Sequence, residues 1–356
     1  MSQTASLVGV ATFDNGFLSN EIEDLFASHL NLNQFCTVDN ELQGVTGDIR
    51  KINVYGASGS AEDVAEGYGN QYSISTSLIE KEYRVKCAQA WFKYSDEALM
   101  RDPIAIQTGI TKLGVALFDK VNSDIFSEMQ KATLLVTPET YDFDALVDAV
   151  ASLQITDANE AVIEVQGKFI PTVWAITDKK GIAKARKAMK DQLKYDTRLA
   201  WTQGYVGTIA GVALYYKQNC PENIMYVGTN EAITVFNKTG VNTEVASRDE
   251  QNANKRLNNI FSRKYYITAL TNPNKICQVV LPGGSANFLQ LETGDGATVA
   301  FALDHTATDT PVVTIDGEVQ TSGYSFATNT ITFSTAPAQG KVIGIEYHYT
   351  IPTPSI

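Results

Sequence analysis

The chain is short of histidine, short of cysteine and free of long apolar runs, and each shortage removes a class of protein. Its three histidines, His29, His305 and His348, are too few and too scattered for the local spacings of a zinc site. Four cysteines, Cys36, Cys87, Cys220 and Cys277, lie at wide intervals in a chain of 356 residues, which is long enough to bury a core without staples. They read as reduced, partly buried thiols. No stretch of about 18 apolar residues occurs, and the opening Met-Ser-Gln-Thr lacks the basic and apolar regions of a secretory signal, which argues against a membrane span and against export. Lys and Arg number 28 against 40 Asp and Glu, a formal charge of −12. Nucleic-acid binding by counterion release needs clustered cations, so a surface built for phosphates is not expected.

Catalytic motifs are missing as well. There is no phosphate loop, nucleophile elbow, His-Glu-x-x-His, Cys-x-x-Cys or calcium loop. The run Gly207-Thr-Ile-Ala-Gly211 lacks a following lysine and sits in an apolar stretch, so it reads as a turn or bulge. The acid pairs Glu62/Asp63 and Asp142/Asp144 stand near no candidate nucleophile. Neither an enzyme nor a bound cofactor or metal is expected.

What is present is a distinctive order of elements. Asn20 opens a helix with Ile22, Leu25, Phe26 and Leu30 on one face. Extended segments over 48–55 and 71–94 flank a polar, Gly-rich and acidic tip at 56–70, which together predict a long two-stranded hairpin. Such a ribbon is marginal in water alone, so it makes sense if it lies on a neighbouring subunit. After Asp102-Pro103, a cap followed by proline at the first helical position, apolar residues recur at Ile106, Ile110, Leu113, Leu117, Val121, Ile125 and Met129. That spacing predicts a helix of about 27 residues, roughly 40 Å long at 1.5 Å per residue.

The middle of the chain alternates short elements. A strand is expected over 131–137, and a helix over 143–153 with Leu146, Val147, Val150 and Leu153 inward. Further strands fall at 161–165, 206–216 and 224–227; a helix or strand runs over 168–176, left ambiguous by Pro171; and a basic helix covers 181–193. The basic run there (Lys179, Lys180, Lys184, Arg186, Lys187, Lys190 and Lys194) reads first as a solvated face, then as a subunit contact and last as a nucleic-acid contact, since the rest of the chain supplies no supporting aromatic and basic interleaving. Trp91, Trp174 and Trp201 read as core or interface anchors. A polar stretch covers 243–259, and 264–270 with 276–281 reads as a hairpin about the turn at Asn272-Pro-Asn-Lys275.

Pro282-Gly-Gly-Ser285 marks a boundary. Beyond it, residues 286–356 hold one basic residue, Lys341, against seven acids, half of the net charge in a fifth of the chain. Alternating apolar pairs separated by Asp-Gly, Ser-Gly, Thr-Asn and Gln-Gly turns predict a small all-β sandwich.

This order of arm, hairpin, long helix and mixed domain resembles the HK97-type major capsid protein of tailed bacteriophages over about residues 1–283. The stretch from Gly207 through Cys220-Pro221 to Ala232 is similar to one common in the axial domains of such proteins. The resemblance implies an α+β capsid fold with an N-terminal arm at 1–46, an E-loop at 47–95 and a spine helix with peripheral domain at 96–137. An axial domain at 138–260, a peripheral return at 261–285 and an Ig-like β-sandwich at 286–356 would complete it. The implied function is assembly into an icosahedral shell around double-stranded DNA, with the chain itself, a portal and a separate scaffolding protein as partners. Candidate inter-subunit contacts are Arg50 and Lys51 beside the hairpin, Glu62, Asp63 and Glu66 at its tip, and Asn272, Asn274 and Lys275 in the turn.

Some members of that family join subunits through a hairpin lysine and a peripheral asparagine. The tip at 56–70 has no lysine. Mature particles are therefore expected to run as single chains on boiled, reduced denaturing gels, and a ladder of covalent oligomers would refute this. Two further readings stay open from the sequence: an encapsulin-type compartment, distinguished by enzyme cargo in place of DNA, and a tail or surface adhesin, distinguished by glycan binding at 286–356.

Overall fold

The computed structural model describes residues 31–58, 75–101, 103–153, 173–188, 205–209, 212–246 and 256–353. The expected helix after Asn20, residues 59–70 of the hairpin tip, the cap Asp102, the strand at 161–165 and Trp201 lie outside them. The chain forms two compact units, residues 1–47 with 85–281, and residues 48–84 with 282–356.

The first unit begins with a 3-10 turn, Leu32–Phe35, and strand β1 (Thr37–Asp39). The second contains β2 (Ile49–Ser58) and β3 (Ser75–Arg84), which pair antiparallel from Ile49↔Arg84 to Ser58↔Ser75 as the expected hairpin. The extended stretch predicted to Tyr94 breaks at Val85. Its last part, β4 (Lys86–Ser95), belongs to the first unit and pairs with another strand there.

A short helix, α1 (Asp96–Arg101), precedes α2 (Pro103–Met129), whose 27 residues match the predicted length. Ile110, Leu113, Leu117, Val121, Ile125 and Met129 are all buried, one unbroken stripe along α2. The approach of α2 to β4 is close enough that a Cβ on Gly109 would collide with the ring of Phe92. Next come β5 (Leu134–Val136), α3 (Phe143–Ser152), β6 (Val173–Thr177) and α4 (Lys179–Ala188). Of the segment that Pro171 left ambiguous, residues 173–176 are strand, and 168–172 lie outside the described residues. Then follow β7 (Tyr205–Ile209), β8 (Val212–Tyr216), β9 (Ile224–Gly228), β10 (Ile233–Asn237), β11 (Asn242–Ala246), β12 (Leu257–Leu270) and β13 (Ile276–Val280). The stretch 206–216 is two antiparallel strands, with a register shift between Tyr205 and Gly207 where the glycine run begins. The two described ends of the polar stretch 243–259 are strand too, since β11 pairs with β12 from Asn242↔Arg263 to Ala246↔Asn259, while 247–255 lie outside the described residues.

The hairpin expected of 264–270 and 276–281 does not form. β12 joins a five-stranded sheet with β1, β10, β11 and β4, whereas β13 lies in a six-stranded sheet ordered β5-β13-β9-β6-β8-β7. The turn between them carries the chain from one sheet to the other. The amides of Thr271 and Asn272 both donate to the Ala232 carbonyl, at 3.1 and 3.0 Å, and Thr229 N donates to Lys275 O at 3.1 Å. These bonds tie the turn to the β9–β10 connection, so β13 leaves to pair with β9 and β5.

The six-stranded sheet is covered on both faces. Val173 and Ala175 of β6, Val212 and Leu214 of β8, Met225 and Val227 of β9, and Cys277 and Val279 of β13 share one face. They pack with Leu146, Ala149 and Leu153 from the α3 segment and Ile182 and Ala185 of α4. On the other face Trp174 meets Phe35 at 5.4 Å between ring centroids, and Tyr226 meets Phe126 of α2 at 5.7 Å. The α3 prediction needs one correction. Val147 is 43% exposed, and Ala149 takes the buried place, so the inward face is rotated from the one expected.

In the second unit, β14 (Ser285–Thr293), β15 (Ala300–Ala302), β16 (Val312–Ile315), β17 (Glu318–Val319), β18 (Tyr324–Ala327), β19 (Thr330–Phe333) and β20 (Val342–Thr350) form two antiparallel sheets, β14-β20-β16-β17 and β15-β19-β18. Phe301, Ile331 and Phe333 from one sheet and Val313, Ile343, Ile345 and Tyr347 from the other fill a common core. Two hairpin turns carry positive φ at both central residues, Asp316 (50°) with Gly317 (85°) and Thr328 (50°) with Asn329 (58°), the geometry that suits the twist of paired strands. Strand β14 was not anticipated. The backbone bonding changes side at Pro282: Leu281 N donates to Asn223 O in the first unit, and Gly283 N donates to Ile351 O in the second.

Candidate assembly surfaces

The proposed contact residues divide between the two units. Arg50 and Lys51 lie on β2, opposite Tyr83 and Glu82 of β3, and Lys51 pairs with the Glu82 carboxylate at 3.0 Å. Both partners are about half exposed, so this pair adds little stability. It does hold the lysine within its own hairpin. Glu62, Asp63 and Glu66 fall outside the described residues.

Asn272, Asn274 and Lys275 share the turn between β12 and β13 in the first unit. The Asn272 side-chain amide donates to Glu231 O at 2.7 Å, and the Lys275 ammonium pairs with the Glu231 carboxylate. Asn272 is thereby held by a backbone carbonyl, and Asn274 makes a contact of its own within the chain. The turn is an ordered polar platform whose groups are engaged with the β9–β10 connection.

Two further surfaces were legible only in part, through Trp91 as a candidate interface anchor and the basic run of α4 as a candidate subunit contact. On β4, Cys87, Gln89, Trp91 and Lys93 alternate outward with Ala88 buried between them. Trp91 is 59% exposed and stacks on Phe261 of β12 at 6.4 Å between centroids. Of the tryptophans taken as anchors, Trp174 is core and Trp91 is surface. The second surface is the outer layer of the six-stranded sheet. On α3, Asp142 caps the helix by accepting from Ala145 N at 2.9 Å, and Phe143, Asp144, Val147 and Asp148 face outward. On α4, Asp178 accepts from Gly181 N at 2.7 Å, Lys180 pairs with Glu222, and Lys184 donates to the Asn223 side chain.

The chemistry of the described residues is structural. Burial pushes the thiols of Cys36 and Cys220 up to about 12, so both stay protonated and unreactive at neutral pH. The four cysteines are free, with Cys87 exposed and the others buried. Among the described residues no cluster of His, Cys, Asp or Glu has the makings of a metal site.

No family model matches the chain. A curated relative, the major capsid protein of Staphylococcus phage phiMR11, is 24% identical over 257 residues, spanning 70% of this chain and 87% of the relative. Among solved structures, the head of Helicobacter pylori bacteriophage KHP40 is similar with a TM-score of 0.52 at 6% identity, over 72% of this chain and 90% of that one. The capsid of Ralstonia phage GP4 gives 0.51 at 11% identity, over the same 72% and 90%. The fold is that of phage capsid subunits, as the order of elements implied. In sequence the chain is similar to a phage major capsid protein, and in fold to phage capsid subunits.

Proposed function

We propose that copies of this chain tile an icosahedral shell, as hexamers and pentamers, around the double-stranded DNA genome of a tailed phage. Assembly takes place in the cytoplasm of the bacterial host, with a portal and a separate scaffolding protein. The observation that carries this reading is the order of parts: a ten-pair antiparallel hairpin in one unit, and the 27-residue helix backing a two-sheet body in the other. A hairpin laid on a neighbour buries surface that it cannot bury alone, and many modest contacts repeated around a closed particle sum to a stable shell. The net charge of −12 suits a DNA container, since a wall that does not hold phosphates lets the genome leave.

Negative-stain images of the purified protein should show closed shells, and particles isolated from their source should contain genomic DNA. Protein that remains monomeric under assembly conditions would remove this function. Particles filled with an enzyme would make the chain an encapsulin-type compartment instead.

The residues of the second unit after Pro282 are proposed to be an Ig-like sandwich on the outside of the shell, where half of the net charge would face solvent. Deleting 286–356 should leave assembly intact but lower the temperature or denaturant concentration at which particles break. Failure of residues 1–283 to fold would overturn the division at Pro282.

A further inference from the structure

We infer that the outward faces of α3 and α4 are two halves of one head-to-tail contact between copies of this chain. The inference rests on the shell reading above and names the surfaces that close its rings. Both helices lie on the same face of the six-stranded sheet and share its core. They occupy opposite flanks of that layer. α3 packs over β5, β13 and β9, while α4 follows β6 and stands at the β8 end, where Lys179 lies 5.5 Å from the Tyr216 ring.

The two flanks carry opposite charge. Along α3, Asp144 and Asp148 are exposed one turn apart, beside Phe143 at 40% and Val147 at 43% exposure. Along α4 the exposed residues Ala183, Lys184 and Lys187 make a stripe of small and cationic side chains. Among the described residues, Asp144, Asp148 and Lys187 have no ion-pair partner in their own chain, while Lys184 donates to the Asn223 side chain and lies in the field of Glu222. Phe143 and Val147 are large apolar groups on a helix that had inward positions available for such residues, and the acids frame them.

One face is apolar and anionic; the other is small and cationic. They complement each other and neither complements itself, so the charges pair α3 of one copy with α4 of another. The shell reading supplies the rotation, in which each copy offers α3 to one neighbour and α4 to the next, a head-to-tail contact that closes into a ring. The occupant of the α3 face is α4 of the next copy. A single helix-on-helix contact of this kind is too small to hold a dimer in solution. It gains its effect when every subunit in a ring makes it twice, and electrostatic complementarity fixes the register.

The experiment is a charge exchange in the full chain, with wild-type assembly as its control. Asp144→Lys with Asp148→Lys, and separately Lys184→Glu with Lys187→Glu, should each lower the assembled fraction by about tenfold at low salt, and all four together should restore it. Sedimentation and electron microscopy read the result, and matching thermal melts show that the unassembled subunits are folded. If reversal unfolds the chain, Asp144→Asn with Asp148→Asn and Lys184→Gln with Lys187→Gln carry the test, by flattening the salt dependence of assembly. Unchanged assembly in either reversed pair, no rescue in the four-fold variant, or an unaltered salt dependence in the neutral variants would overturn the contact. Failure of the wild-type chain to form shells is a different result, and it would remove the shell reading itself.

Discussion

Replacing Trp174 with alanine should destabilise the first unit by about 3–5 kcal/mol, enough to leave little of a body whose total stability is of the order of 5–15 kcal/mol. Among the described residues Trp174 is the largest fully buried side chain, at 1% exposure, and it lies on β6 between β8 and β9. Its ring fills the space between the sheet and the 3-10 turn, with Phe35 at 5.4 Å, and it lies so close to Gly228 that a Cβ there would press on it. The cavity left by truncation is flanked by a pleated sheet paired on both sides, which cannot collapse into it. Trp174→Phe should cost much less. It keeps most of the volume, and the indole Nε1 it removes is buried without a hydrogen-bond partner among the described residues. Denaturant midpoints of unassembled wild type and the two variants, followed by circular dichroism, check the order wild type, Phe, Ala. A loss below about 1 kcal/mol for the alanine variant would mean that the two layers are not joined through this ring.

The contrast between Trp174 and Trp91 shows which parts of the architecture are written locally. The stripe from Ile110 to Met129 could be read directly, because helix periodicity is a property of neighbours in sequence and every one of those residues is buried. The Asp316-Gly317 and Thr328-Asn329 turns were legible for the same reason, since left-handed backbone is chemistry confined to two residues. Strand pairing is different. Nothing near Asn272 says that β12 and β13 enter separate sheets, because that depends on Ala232, some forty positions earlier, accepting two amides from the turn. Strand β14 escaped because its sequence, Ser-Ala-Asn-Phe-Leu-Gln-Leu-Glu-Thr, has no β-branched residue before the last and buries Asn287 and Gln290, whose amides donate to Glu346 on β20 and to the Ala302 carbonyl of the facing sheet, partners far away in sequence.

The assembly surfaces were partly legible. Lys51 and the Asn272 turn were named from the resemblance, and both are ordered and exposed to some degree, but each is already engaged inside its own unit. Val147 was read as core because a helix with apolar residues at 146, 147, 150 and 153 allows two inward faces. The sheet selects the one that places small Ala145 and Ala149 beneath the helix axis. The choice turns Phe143 and Val147 outward, and so the surface with the strongest claim to an assembly role was hidden by an ordinary ambiguity of helical phase.

Removing the Tyr266 hydroxyl should weaken the junction between α2 and the five-stranded sheet and make it more sensitive to acid. Tyr266, fully buried on β12, donates to the Asp124 carboxylate of α2 at 2.7 Å, and Lys120 pairs with the same carboxylate at 2.8 Å. Burial alone would push the Asp124 carboxyl up. The hydrogen bonds from Lys120 and Tyr266 and the charges of Lys86 and Lys120 outweigh it, so the group is held below its ordinary 3.8. A carboxylate with a lowered folded-state pKa stabilises the fold fully above its unfolded-state value, and that stability is lost as pH falls through the folded one. The wild-type first unit should therefore hold this contribution down to about pH 4 and shed it below. Tyr266→Phe takes away one of the two hydrogen bonds to a buried charge, at a cost of about 1.5–3 kcal/mol at neutral pH. It also lets the Asp124 pKa rise, which moves the onset of acid unfolding upward. Asp124→Asn removes the titrating group, leaves an acceptor for the tyrosine, and should flatten the acid limb instead. All three tryptophans lie within 85–281, so intrinsic fluorescence reports on this unit without interference from 282–356. Acid-unfolding profiles that are the same for wild type, Tyr266→Phe and Asp124→Asn would show that the long helix is held to the sheet by its apolar stripe alone.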